Sequence, residues 1–137
     1  MLGFGKGKKI KQLVEIIGST FSSQVMLMPI SPVELISISK RNKLISGYIM
    51  GFHHQIISRS PFKPIDQQGI LVESYYNLFG SDDAQEILDF TFSNLRDEVF
   101  KSGFDLGSKD ITDFSRNSKN APLGLLRILH KEDNSID

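Results

Sequence analysis

The sequence predicts an all-α fold, an irregular bundle of five or six helices, on three observations. Apolar residues recur at three- and four-residue spacing along most of the chain. Capping signals stand where those stretches begin, the firmest at Ser31. No stretch alternates with period two for long enough to make a strand, and no repeat with a period of roughly 20–50 residues is visible. At 137 residues the chain has the size of one domain. We assign residues 1–131 to that domain and 132–137 to a frayed tail.

The first helix is expected from about Lys8 to Ser23, with Ile10, Leu13, Val14, Ile17 and Phe21 on one stripe. The second opens at "SPVE". Ser31 is its N-cap, Pro32 its first residue, and Glu34 completes a capping box. Ile36, Leu44, Ile45, Tyr48, Ile49, Phe52 and Ile56 carry its apolar face toward Ser58, and the polar "SKRNK" permits a break near Asn42. The third is expected from Asp66 as cap through Leu78 or Phe79, with Gly80 at its end. The fourth has Ser81 as cap and stops at Gly103, with Ile87, Leu88, Thr91, Phe92, Leu95, Val99 and Phe100 as its stripe. Asp82, Asp83 and Glu86 then occupy a first turn where the helix dipole favours negative charge. A turn at Gly107 follows, then a short helix capped by Ser108 or Asp110 and burying Ile111 and Phe114. "APLGLLRILH" closes the set as a last helix.

Composition bounds the function. The chain is 39% hydrophobic with ten phenylalanines, enough for a packed interior. It has no cysteine, which removes disulfides, thiolate zinc sites and cysteine nucleophiles and fits a cytoplasmic protein. Lys11, Gln12 and Glu15 interrupt the apolar run at the N-terminus, so it does not match a signal peptide, and no segment has the apolar length of a membrane span. Net charge is zero but unevenly placed. Residues 1–64 hold nine Lys/Arg against two Asp/Glu, and residues 65–137 hold seven against fourteen. Two halves of one domain that attract each other explain this. A basic binding surface made of Lys6, Lys8, Lys9, Lys11, Lys40, Arg41 and Lys43 is the alternative, for nucleic acid or, by peripheral contact, a membrane. Without a recognition helix or net positive charge, neither partner is favoured.

The stretch "GYIMGFHHQII" carries the most chemistry. Gly47 and Gly51 cost a helix about 1 kcal/mol each relative to alanine, a cost explained by close packing of a second helix against them. His53 and His54 stand about 100° apart on a helix, and no His, Asp or Glu lies three or four residues from either on the same face. No metal and no cofactor is therefore expected. The sequence also lacks a phosphate loop, a nucleophile elbow and an EF-hand series, which points away from an enzyme. It favours a non-enzymatic helical interaction or regulatory domain acting through a protein partner or self-association. The alternative is a helical protein that binds a small ligand or metal in a pocket near His53 and His54. In either case Tyr48, Phe52, His53, His54, Tyr75 and Tyr76 are the candidate ligand or partner surface.

Overall fold

A computed structural model describes residues 2–26 and 30–116. Within them lie six helices and no strand: α1 (Leu2–Val25), α2 (Pro32–Ser39), α3 (Lys43–Ser58), α4 (Pro64–Phe79), α5 (Ser81–Ser93) and α6 (Glu98–Arg116). The described residues form an all-α bundle of six helices. The expected last helix and the C-terminal tail lie outside the described residues.

α3 is the centre of the bundle, and every residue from Ile45 to His53 is buried. Its N-terminus is set locally. The chain breaks after α2, and the Asn42 side chain accepts from the Ile45 N–H at 3.0 Å, capping α3. α2 begins at the Ser31 cap, whose hydroxyl accepts from the Glu34 N–H at 3.2 Å and lies 3.3 Å from the Glu34 carboxylate. Ser31→Ala should cost about 1 kcal/mol, read from the urea denaturation midpoint. An unmoved midpoint would remove this cap as a folding feature.

Several boundaries differ from the sequence expectation, each for a local reason. α1 starts at Leu2 and not near Lys8, so Gly5 and Gly7 lie inside a helix. α4 starts at Pro64, which suits the first helical position, and Asp66 sits in its first turn instead of capping it. Ser81 is the first residue of α5; the cap position is Gly80, whose φ of 86° and ψ of 160° are accessible in practice only to glycine. The expected fourth helix is two helices. Asn94 closes α5, its side-chain amide donating to the Phe90 carbonyl at 2.7 Å. Asp97 then caps α6 by accepting from the N–H groups of Val99 and Phe100 at 2.8 and 3.2 Å. The break turns three residues of the predicted stripe outward: Phe92, Leu95 and Val99 are about half exposed. Gly103 and Gly107, expected as a stop and a turn, lie inside α6, and Ser108 and Asp110 cap nothing.

Two apolar clusters hold the bundle. The larger gathers Phe21, Leu35, Ile45, Tyr48, Ile49, Phe52, Tyr75, Phe79, Ile87, Phe100 and Ile111 around α3. The smaller, with Val14, Ile17, Ile57 and Ile70, fastens α1 to α4 and the end of α3. Lys6–Asp66 (2.9 Å), Lys40–Asp83 (2.7 Å), Lys40–Glu86 (3.2 Å) and Lys43–Asp97 (2.9 Å) each join the basic first half to the acidic second half.

Candidate functional site

The closest packing is the crossing of α3 and α6. A Cβ built on Gly47 would overlap the Phe100 carbonyl, and one on Gly51 the Phe104 carbonyl. The reverse also holds: Gly103 faces the Leu44 carbonyl and Gly107 the Tyr48 carbonyl. Contacts advance in the same direction on both helices, so the two run parallel. Small residues let helix backbones approach closely, and here the absence of even a Cβ is required at each of the four positions. The sequence signal was present. Ser46-Gly47-Tyr48-Ile49-Met50-Gly51 and Ser102-Gly103-Phe104-Asp105-Leu106-Gly107 share the pattern Ser-Gly-aromatic-x-x-Gly at an offset of 56 residues. That offset converts the Gly47–Phe100 contact into Gly103–Leu44, and Gly51–Phe104 into Gly107–Tyr48. The crossing thus has local two-fold symmetry.

Polar side chains fix this crossing to its neighbours. Gln24 of α1 donates to the Tyr48 hydroxyl at 2.8 Å, and Tyr48 donates to the Asp110 carboxylate of α6 at 2.6 Å. Ser46 and Thr91 share a buried hydrogen bond of 2.8 Å, and Ser108 donates to the Gly51 carbonyl at 3.2 Å. The sequence reading singled out none of Gln24, Thr91, Gly103, Gly107 and Asp110 as a site residue. Of these only the two glycines carried a signal, the repeated spacing.

The six residues expected as one surface are divided. Tyr48, Phe52, His53 and Tyr75 are fully buried, so they are core and not surface. α3 is covered on all sides from Ile45 to His53, and Tyr75 of α4 packs against it, its ring 4.9 Å from that of His53. Tyr76 is half-buried and donates to Gln85 at 2.8 Å. His54 is exposed, its ring 5.3 Å from that of Phe104 on α6. The two histidines therefore line no common pocket, because adjacent helical positions diverge.

His53 sits among the rings of Phe21 (5.6 Å), Phe52 (6.1 Å) and Tyr75 (4.9 Å). Its Nδ1 donates to the Ile49 carbonyl at 2.7 Å, which fixes the tautomer and leaves Nε2 as an acceptor. Burial pushes its pKa down to about 4, only partly opposed by that hydrogen bond. Burial pushes the Tyr75 hydroxyl well up, so it stays a donor. Among the described residues no group of three or more His, Asp or Glu is placed to hold a metal.

The candidate basic surface is also divided. Lys8, Lys9, Lys11 and Arg41 are exposed, whereas Lys6, Lys40 and Lys43 are held in the ion pairs above. The Asp83 carboxylate raises the Lys40 pKa, and Lys43, with two backbone N–H groups, lowers that of Asp97.

The surface does carry an apolar cleft. Phe21, Met26, Pro32, Leu35, Ile36, Leu78 and Phe79 line a depression of about 280 Å³ between α1, α2 and α4. Met26 on its wall is 84% exposed, and Val33, next to Pro32, is 75% exposed. No protein-family model, curated protein or solved structure matches the chain. No helix among the described residues is long and apolar enough to cross a membrane.

Proposed function

We propose that the chain is a non-enzymatic helical interaction domain whose contact surface, for a protein partner or a second copy, is the cleft between α1, α2 and α4. One observation carries this reading: an apolar depression with the largely exposed Met26 on its wall, and the exposed Val33 next to its lining residue Pro32 in the chain, a surface suited to an anchor residue from another chain. Burying Met26 and Val33 in a contact would remove their apolar surface from water at about 25 cal/mol per Å².

A photo-reactive residue at position 33 tests it in the cells that make the protein. It should give a covalent adduct of discrete mass, a dimer for self-association or a mixed adduct for another partner. Met26→Glu should abolish the adduct while changing stability by no more than about 0.5 kcal/mol, since Met26 is outside the core. Absence of any adduct, or an adduct indifferent to Met26→Glu, sinks the reading.

A further inference from the structure

In the core of the bundle His53 Nε2 and the Tyr75 hydroxyl are fully buried and, like the hydroxyl of Ser74 next to Tyr75, have no hydrogen-bond partner among the described residues. Buried polar groups in native proteins are nearly always satisfied, so each orphan requires an explanation. Their chemistry is complementary. The Nδ1 proton is committed to Ile49, so Nε2 can only accept, and the phenol has a proton to donate. The two rings are neighbours with centroids 4.9 Å apart, yet no direct bond joins them. A group that accepts from Tyr75 and donates to His53 would satisfy both at once. A hydroxyl does this; a carbonyl, an amine cation or a carboxylate does not.

The surroundings suggest a route. Phe21 packs against His53 and Phe79 against Tyr75, the latter at 5.6 Å, and both phenylalanines line the apolar cleft. One layer of rings separates the cleft from the orphan pair. We propose that the core between α3 and α4 is a binding site for a hydroxyl group held between His53 Nε2 and the Tyr75 hydroxyl, with the apolar cleft as its entrance. The hydroxyl belongs either to a trapped water or to a small apolar alcohol or phenol whose body lies in the cleft. This inference shares the cleft with the interaction reading, and the two are tested separately: Tyr75→Phe leaves Met26 and Val33 untouched, so failure of one does not decide the other.

Tyr75→Phe removes one hydroxyl and keeps the ring, so the full chain retains its shape. If a hydroxyl guest is held, the variant removes the group that donates to it, the guest is held less tightly and the melting temperature falls; if Tyr75 is merely an orphan, deleting an unsatisfied group leaves it unchanged or raises it. In parallel, wild type and variant are titrated with 4-ethylphenol and with ethylbenzene, and the methyl signals of Leu35 and Ile36 and the ring signals of His53 are followed by NMR. An alcohol guest predicts that 4-ethylphenol binds at least about tenfold more tightly than ethylbenzene and that this preference disappears in Tyr75→Phe. A water guest predicts a lowered melting temperature, no such preference, and a water-to-His53 nuclear Overhauser contact. The site is refuted if the melting temperature does not fall and 4-ethylphenol has no Tyr75-dependent preference. A fall with neither that preference nor the water contact refutes it as well.

Discussion

Gly51→Ala should destabilise the protein by about 3 kcal/mol, the upper end of overpacking costs, although alanine is the better helix former. A methyl group at position 51 falls on the Phe104 carbonyl oxygen, carbon and Cα of α6. Backbone cannot rotate away as a flexible side chain can, so α3 and α6 must separate. Separation weakens the whole crossing, including the contacts of Gly47, Gly103 and Gly107. The four glycines should therefore behave as one unit. The double variant Gly51→Ala/Gly107→Ala should cost clearly less than the sum of its two single variants, because the first methyl group already forces the gap that the second needs. Gly5→Ala supplies the opposite sign. Gly5 lies in α1 with nothing within contact distance, so alanine there should raise stability by up to about 1 kcal/mol. Urea denaturation of these variants decides the matter. A stable Gly51→Ala protein would mean that α6 does not rest on α3 as described.

The glycine crossing also shows where the sequence was legible. Gly47 and Gly51 could be read as a packing strip because two glycines in an apolar helix need compensation, and the structure sets a backbone against each. Gly103 and Gly107 bear the same spacing but match a stop and a turn as well, since glycine commonly ends helices. What distinguishes them is the partner: a glycine in the middle of α6 is tolerated only because α3 covers it. Local capping was readable at Ser31, where proline and glutamate accompany the serine, and not at Asp66, Ser81, Ser108 or Asp110, where a lone polar residue only resembles a cap. Ser31 acts within one turn of itself, as does Asn42 at the expected break, whereas Glu86 lies beyond the first turn of α5, Asp83 and Glu86 reach across to Lys40, and Asp97 was hidden inside a long apolar periodicity that ran through the break. The least readable feature was burial. Tyr48, Phe52 and Tyr75 looked like surplus aromatic surface, and only the tertiary arrangement around α3 places them inside. The charge asymmetry falls between these cases. Its sign pattern was plain in the sequence, but Lys6, Lys40 and Lys43 find their acids 40 or more residues away.

Acidification should destabilise the protein through His53, and the window is set by its two pKa values. The folded-state value is about 4, held down by burial, against an ordinary value of 6.5. Above pH 6.5 the ring is neutral in both states, and its stabilising contribution is fully present. Between pH 6.5 and 4 the unfolded chain binds a proton that the native protein refuses, so stability falls as pH falls; below 4 both states are protonated and the loss levels off. The difference corresponds to about 3 kcal/mol. Asp97, whose pKa is lowered in the fold, adds a loss of the same direction at more acid pH, as its carboxylate becomes protonated. Separating the two requires His53→Gln, which cannot titrate. Urea denaturation between pH 7 and pH 4.5 should show a steep decline for wild type and a much flatter one for His53→Gln, whatever the variant's starting stability. Parallel declines in the two proteins would mean that His53 is protonated in the native state at ordinary cost. The core would then have to supply an acceptor for the extra proton.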